Sequence, residues 1–236
     1  MRSSVKDKAI ILRRKSFGEA DWMLTLFTER HGKLRVVAKG ARRLTSRLAG
    51  FSELFTVISC QINFHSSIPI VSQITHEQLL DGVADNRQLY RSLHILAEVV
   101  DKATHEDDAQ PAFFAYVSDA MRRLVADSRP TTLSEVLVGI TRQLGLVPQC
   151  EICSVCGQVI REEDNLVWDV THGGLVHARD RQQSLDQNAV KVLRALIADR
   201  LPQGLVLSGE LASQTERRLL NHIQFAIDRE LVSVGD

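Results

Sequence analysis

Residues 32–47, which read GKLRVVAKGARRLTSR, determine the fold of the first part of the chain. Between Lys33 and Lys39 the side chains alternate with a period of two, the period of a β-strand. One face of this strand is apolar and suits a barrel core: Leu34, Val36 and Ala38. The other face carries Val37 and three cations, which are costly to bury without partners: Lys33, Arg35 and Lys39.

The cations continue past this strand. Gly40 permits a turn, and a basic loop follows it. A cationic strand leading into a cationic loop is typical of a surface that contacts a phosphate backbone. The predicted DNA-binding residues are Lys33, Arg35, Lys39, Arg42, Arg43 and Arg47. The alternative interpretation is an ordinary strand followed by a solvated polar turn.

The charge of the chain is unevenly distributed. Residues 1–50 hold 13 lysines and arginines and four acids, a net charge of +9. Since the whole chain has 29 side chains of each sign, residues 51–236 carry −9. This asymmetry indicates that the first part binds a polyanion, while the remainder of the chain has a different role.

Residues 1–78 have the pattern of a β-rich domain. Five short runs separated by turn residues are predicted strands: Lys8–Lys15, Trp22–Glu29, Lys33–Lys39, Leu54–Phe64 and Ile68–His76. A basic domain of five short strands fits an OB-type barrel, whose strands 2–3 and loops bind oligonucleotides. A small SH3-like barrel fits the pattern almost as well.

Helical spacing follows the predicted barrel. Apolar residues recur three or four apart between Leu89 and Val100, and Pro111 suits the first turn of a second helix. We expect a capping box at Thr132–Glu135 to open a third helix that Gly145 closes, Asp186 to cap a fourth, and Ser213–Glu216 to cap the last.

The predicted fold class is therefore α+β: a five-stranded OB-type β-barrel followed by an all-α helical domain with a small zinc-knuckle-like insert. The predicted domain boundaries are residues 1–78 for the nucleic-acid-binding barrel, 79–148 for the first helical part, 149–184 for the insert and 185–236 for the C-terminal helical part.

The insert contains three of the four cysteines of the chain. Cys150, Cys153 and Cys156 form two overlapping C-x2-C pairs, and Gly157 follows the second pair. Such a pair places two thiolates on one zinc ion, and a glycine lets the backbone turn beneath the sulfurs. His177 and Asp180, in x2 spacing, stand where the second half of a zinc site is expected.

The predicted metal ligands are Cys153, Cys156 and His177, with the fourth place taken by Cys150 or Asp180. A closed shell of four ligands indicates a structural rather than catalytic zinc. Two alternatives remain. One is an iron–sulfur cluster, although the C-x2-C-x2-C run lacks the x3-C-P continuation of the ferredoxin motif. The other is a degenerate site that binds no metal.

The apolar run Ala9–Leu12 is too short for a signal-peptide core, and no other run is long enough to span a bilayer. We therefore expect a cytoplasmic, nucleoid-associated protein. The sequence contains no phosphate-binding G-x4-G-K-[ST] loop, no nucleophile elbow and no H-E-x2-H helix, so we expect no enzymatic activity and no small-molecule substrate.

The chain resembles the RecO family of bacterial recombination-repair mediators. The resemblance rests on Gly18–Asp21, Leu24–Glu29, Gly32–Arg42, Leu144–Leu146 before Cys153–Gly157, and Gly173-Gly174 with Leu185. It runs nearly end to end, and the order of the motifs is more specific than any one of them. It departs at the insert, where the family commonly has two further cysteines and this chain has His177 and Asp180.

The resemblance implies a protein that binds single-stranded and double-stranded DNA and anneals complementary strands. It further implies the partners RecR and single-strand-binding protein: with RecR, the family helps to load RecA onto strands that single-strand-binding protein coats. A zinc-stabilised RNA-binding or transcription adaptor is the alternative, because it shares the basic barrel and the knuckle.

Overall fold

The computed structural model describes residues 4–43, 46, 48, 53–78, 80, 83, 85–178, 184–202 and 205–232. The chain divides into two compact units, Met1–Ala126 and Asp127–Asp236. The first contains five strands and two helices, and the second contains three helices and a two-stranded sheet.

The first unit is built on a closed barrel. Its strands are β1 (Ser4–Phe17), β2 (Asp21–Thr28), β3 (Gly32–Ala38), β4 (Val57–Asn63) and β5 (Ile70–Gln78), in the order β1-β2-β3-β5-β4. Neighbouring strands are antiparallel except β3 and β5, which meet in parallel at Val37 and Ile70. The α+β class is confirmed, and the five strands are consistent with an OB-type domain.

The interior of the barrel is filled from alternate positions of its strands. The apolar face predicted for β3 is confirmed, since Leu34, Val36 and Ala38 lie in this core. They are joined there by residues of the other four strands: Ala9, Ile11, Leu24, Leu26, Ile58, Cys60, Ile62, Val71 and Ile74. The period of two therefore places one side of β1, β2, β3 and β4 inside the barrel. Strand β5 departs from it, because Val71 and Ile74 are three residues apart and Gln73 between them has a φ of +50°.

Two helices belong to the same unit as the barrel. They are α1 (Arg87–Ala103) and α2 (Pro111–Ala126). Helix α1 packs against β1, and Phe27 on the outside of β2 contacts Phe113 and Phe114, with ring centroids 5.7 and 5.8 Å apart. The outer face of the barrel is therefore partly covered by these helices.

The second unit contains α3 (Pro130–Leu144), β6 (Leu166–Asp169), β7 (Gly174–His177), α4 (Gln187–Ile197) and α5 (Gly209–Ile227). Helix α3 packs against both α4 and α5. Strands β6 and β7 form an antiparallel pair that the sequence analysis did not predict.

Three predicted helix ends are confirmed. Helix α2 begins at Pro111, Gly145 ends α3 in the left-handed conformation, and the side chain of Asp186 caps α4. The other two predicted starts are wrong. Helix α3 begins at Pro130 because proline suits the first helical position, and α5 begins after Ser208, whose Oγ accepts the N–H of Leu211.

In the part of the chain that the structure describes, no helix is both long and apolar enough to cross a lipid bilayer.

Candidate nucleic-acid interface and metal site

The predicted cationic face of β3 is divided into two ends with different surroundings. At the first end, Nζ of Lys33 lies 3.2 Å from Oδ1 of Asp101 and also donates to the backbone carbonyl of Asp101. The carboxylate of Asp101 also accepts a hydrogen bond from Arg13, at 3.3 Å. Only 14% of the Lys33 side chain is exposed, so its charge is largely neutralised within the fold.

The connector between α1 and α2, residues 104–108, lies alongside the same end of β3. The N–H of Lys33 donates to the carbonyl of His105, and the N–H of Asp107 donates to the carbonyl of Lys33, both at 3.4 Å. Gly32 packs so closely on Asp108 that a Cβ at residue 32 would overlap the Asp108 backbone. The connector thus occupies a stretch of β3 that β5 does not pair with.

The connector also brings an acid to Arg35. Nε of Arg35 lies 3.1 Å from Oε1 of Glu106, and the two side chains are 70% and 57% exposed. Exposed ion pairs of this kind contribute at most about 1 kcal/mol, so a phosphate can displace the carboxylate. Arg35 therefore remains accessible to a polyanion, unlike Lys33.

The other end of β3 is open and basic. Lys39, Arg42 and Arg43 are exposed, and no carboxylate within the described ranges forms an ion pair with them. Arg42 donates from Nη1 to the carbonyl of Gly18 at 3.1 Å, which ties the basic loop to the β1–β2 turn. These three cations therefore lie exposed within five residues at the end of β3, whereas Arg47 lies outside the described residues.

An aromatic ring lies within this basic end. The guanidinium carbons of Arg14 and Arg42 lie 4.7 and 5.3 Å from the ring centroid of Trp22, within the range of cation–π attraction. Trp22 is half-buried against the barrel core, and Phe17, in the same hairpin, is 41% exposed. Bases stack on such rings, and the adjacent guanidinium groups suit the phosphates that accompany them.

Sequence reasoning missed the acids that divide this face. Asp101 and Glu106 come 68 and 71 residues after Lys33 and Arg35 in the chain, and only the helix packing brings them to β3. Sequence reasoning also missed Arg14, whose guanidinium lies over the Trp22 ring.

In the second unit, the structure brings together Cys153, Cys156 and His177. One ligand atom from each lies within 4.8 Å of the other two. Sγ of Cys156 is 3.2 Å from Nδ1 of His177, and the N–H of His177 donates to Sγ of Cys153. Gly157 adopts a φ of +73°, as expected for the residue that turns beneath the sulfurs.

The environment of this group favours ligand chemistry. Burial opposes ionisation of the Cys153 thiol, but backbone N–H groups of His177, Cys156 and Val155 outweigh it, and the pKa falls to about 6. Thiolates are the form that binds metal. Two thiolates and an imidazole nitrogen are a donor set that suits tetrahedral zinc.

The carboxylate of Asp164 contacts the outer nitrogen of the His177 ring. Its Oδ2 lies 3.0 Å from Nε2 of His177, the nitrogen that faces away from the cysteines. This hydrogen bond, followed by the contact with Cys156, raises the pKa of His177 to about 9. A carboxylate on the outer nitrogen of a histidine is the usual support of a metal ligand, so Asp164 belongs to the site although no spacing rule pointed to it.

Of the two candidates for the fourth ligand, Cys150 and Asp180, the structure describes only Cys150. Cys150 is not part of the group; it is buried among Ile160, Leu166 and Leu175, and burial raises the pKa of its thiol to about 12. A thiol in that environment stays protonated and packs as a small apolar side chain. Asp180 lies outside the described residues.

Two family models together match most of the chain. Residues 1–78 match the model of the Recombination protein O N terminal domain, and residues 86–233 match that of the C terminal domain. The chain belongs to the RecO family. This confirms the resemblance inferred from the sequence.

Relatives in several bacteria carry the name DNA repair protein RecO. The protein of Roseiflexus sp. strain RS-1 is 32% identical over 242 residues, covering 98% of this chain and 84% of the relative. That of Bifidobacterium adolescentis is 32% identical over 81% of each chain. That of Gloeobacter violaceus is 30% identical over 94% of this chain and 88% of the relative.

Proposed function

We propose that this RecO-family chain is a non-enzymatic DNA-binding recombination mediator. It binds single-stranded and double-stranded DNA, anneals complementary strands and, with RecR, helps to load RecA onto strands coated by single-strand-binding protein. The observation that carries the DNA-binding role is the exposed cluster of Lys39, Arg42 and Arg43 beside the Trp22 ring. Family membership supports the role in repair.

The binding mechanism follows from the composition of this cluster. Phosphates that meet lysine and arginine release condensed counterions, so the affinity falls steeply with salt. Neither the cations nor the Trp22 ring beneath Arg14 and Arg42 reads base edges, and the interaction is therefore indifferent to sequence. Two strands bound in this way have their charges screened while their base edges stay free, which is what annealing requires.

The test is a titration of fluorescent single-stranded oligonucleotides at several salt concentrations. Replacing Lys39, Arg42 and Arg43 together by alanine should lower the affinity and reduce the slope of log affinity against log salt by about 2, at about 0.7 for each lost contact. Strand annealing by the same variant should slow in parallel. An unchanged titration would refute the assignment.

A matched control removes the same number of cations elsewhere. Lys191, Arg200 and Arg229 lie in the second unit and have exposed side chains. Their joint replacement by alanine should leave the salt slope unchanged. Competition by RNA decides the alternative function, because a preference for RNA over DNA would favour the RNA-binding or transcription adaptor.

The proposed cofactor is a structural zinc ion held by Cys153, Cys156 and His177, with Asp180 as the candidate for the fourth ligand. Zinc supplies no chemistry here beyond cross-linking the turn at Cys153–Gly157 to the end of β7. Two thiolates and one imidazole do not make the four-thiolate set of an ordinary iron–sulfur cluster. Metal analysis of protein purified without chelator should find one zinc per chain, and its absence would favour the degenerate site.

The proposed protein partners are RecR and single-strand-binding protein. A pull-down with each purified partner tests them directly. The single-strand-binding protein should be used with and without its acidic tail, because retention that requires the tail identifies an electrostatic contact. Failure of both pull-downs would remove the partners from the proposal without affecting DNA binding.

A further inference from the structure

A second aromatic cluster lies in the first unit, at the beginning of α1. The rings of Tyr90 and His94 have centroids 4.4 Å apart, and Phe55 packs edge-on against them at 6.1 and 4.9 Å. Phe55 is buried and supports the pair from below, whereas Tyr90 is 46% exposed. Tyr90 therefore presents part of its ring to solvent, beside the His94 ring.

The backbone beneath this cluster is strained. Phe55 has a φ of +62°, a conformation that is costly for any residue except glycine and rare for a bulky one. Its N–H donates to the carbonyl of Ile11 at 3.0 Å, which fixes the residue against β1. Strain of this kind concentrates at functional sites, where a side chain must be held in one place.

The cluster is flanked by cations. Arg87 and Arg91 lie three residues before and one residue after Tyr90 on α1, and both are exposed. Residues three or four apart share one face of a helix, so Arg87, Tyr90, Arg91 and His94 form a single patch. An exposed ring among arginines is the composition of a surface that stacks bases and neutralises phosphates.

Arg14 links this patch to Trp22. Its guanidinium lies over the Trp22 ring, and its Nη1 also donates to Oε1 of Glu53 at 2.8 Å. Glu53 stands two residues before Phe55 in the chain. Arg14 therefore contacts both Trp22 and the segment that carries Phe55, the ring against which Tyr90 packs.

We propose that the patch of Arg87, Tyr90, Arg91 and His94 is a second contact region for single-stranded nucleic acid. The strand that stacks on Trp22 crosses Arg14 and stacks a further base on Tyr90. This inference rests on the proposed DNA-binding function and extends its interface from the barrel to α1. Charge complementarity and the exposed ring favour a nucleic acid over a protein partner.

The test compares oligothymidylates of two lengths on the full chain. A strand of about 6 nucleotides fits one region and a strand of about 20 spans both, since a single OB-type site covers about 4–16 nucleotides. Tyr90→Ala should weaken binding of the long strand by about 5- to 150-fold, the usual loss for one stacked base, and leave the short strand nearly unaffected. Replacing Arg87 and Arg91 together by alanine should reduce the slope of log affinity against log salt by about 1.4. This reduction should occur with the long strand only.

Controls separate stacking from folding. Tyr90→Phe keeps the ring and should retain the affinity for the long strand. Phe225→Ala removes another exposed ring, on α5 in the second unit, and should change nothing. Melting temperatures of all variants show whether the packing of Phe55 survives, and if Tyr90→Ala unfolds, Tyr90→Leu keeps the apolar contact without the aromatic face.

A second readout does not depend on variants. A long strand carrying 5-iodouracil, irradiated in complex with the wild-type chain, should cross-link to Tyr90, as mapped by mass spectrometry. Cross-links confined to the Trp22 region, or equal affinities of Tyr90→Ala and wild type for the long strand, would overturn the inference. If the wild type binds neither strand, the proposed function itself fails.

Discussion

Asp164 and Lys33 show what single residues contribute once the fold is known. Asp164 lies 13 residues before His177 in the chain, yet its carboxylate holds the outer nitrogen of that imidazole. Lys33 has the spacing of an outward cation, yet it is held by Asp101 in a largely buried ion pair. In both cases the residue type alone does not define the role of the side chain. The role depends on the partner that the fold supplies, which is His177 for Asp164 and Asp101 for Lys33.

The hydrogen bond from Asp164 predicts an effect on metal affinity. Asp164→Ala should weaken zinc binding by about 10- to 100-fold, because the carboxylate orients His177 and increases its basicity. Competition with a chromogenic chelator measures the change. Asp169→Ala is the matched control, since Asp169 pairs with His172, which is not in the ligand group, at 2.8 Å. Equal zinc affinity in the two variants would show that Asp164 does not support a ligand.

His222 predicts a pH dependence of stability. Burial lowers its pKa from the ordinary 6.5, although its hydrogen bond to the carbonyl of Leu146 acts in the opposite direction. Below pH 6.5 the unfolded chain therefore binds the proton more readily than the folded chain. The stability that the neutral ring contributes above pH 6.5 is lost as the pH falls, by at most about 1.4 kcal/mol for each pH unit.

Denaturant unfolding between pH 7 and pH 5 measures this effect. His222→Gln keeps a hydrogen-bond donor but does not titrate, so its free energy of unfolding should fall less steeply than that of the wild type. His65→Gln removes an exposed histidine and should preserve the wild-type slope. Parallel slopes for wild type and His222→Gln would contradict the assignment.

At the scale of elements, β3 and the 104–108 connector act together. The connector hydrogen-bonds to the first residues of β3 and brings Glu106 to Arg35. Because Asp101 of α1 pairs with Lys33 as well, the cations without an ion-pair partner among the described residues are those at the far end of the strand, Lys39, Arg42 and Arg43. The amphipathic pattern of β3 was predictable because strand geometry is local, but the arrival of the connector was not, because it depends on how α1 packs.

This arrangement predicts that Glu106 weakens DNA binding. Glu106→Gln frees Arg35, so the affinity for single-stranded DNA at low salt should rise by at most about five-fold, and the salt slope should steepen by about 0.7. Asp119→Asn breaks another exposed pair of the same unit, with Arg122 on α2, and serves as the control. Equal titrations of the two variants would remove Arg35 from the interface.

At the scale of the whole molecule, the two candidate sites lie in different compact units. The unit Met1–Ala126 contains the barrel and the cationic surface, and the unit Asp127–Asp236 contains the Cys153, Cys156 and His177 group. The uneven charge follows this division only in part: the basic first 50 residues lie in the first unit, but residues 51–126 of that unit carry a net −5, which leaves it at +4 against −4 for the second unit. Functions assigned to the two units are therefore separable by experiment.

Metal removal should affect one unit only. A strong chelator should increase amide hydrogen exchange in β6, β7 and the Cys153–Gly157 turn, because the proposed zinc links them, while the barrel keeps its protection. Mass spectrometry of peptides reads out both units in one sample. Exchange that is unchanged in β6 and β7 would show that no metal holds this region, and loss of protection in the barrel would contradict the division.

The sequence by itself determined the α+β class, the strand β3 with its apolar and cationic faces, the family and three of the metal-site residues. The class, the strand and the cysteine pair follow from local periodicity, turn chemistry and short spacings, whereas the family and His177 follow from the order and separation of motifs along the chain. Only the tertiary structure decided that Asp101 pairs with Lys33, that Glu106 reaches Arg35, that Cys150 packs in a core and that Asp164 supports His177. These outcomes depend on contacts between segments far apart in the chain, and no local pattern encodes which side chains such packing brings together.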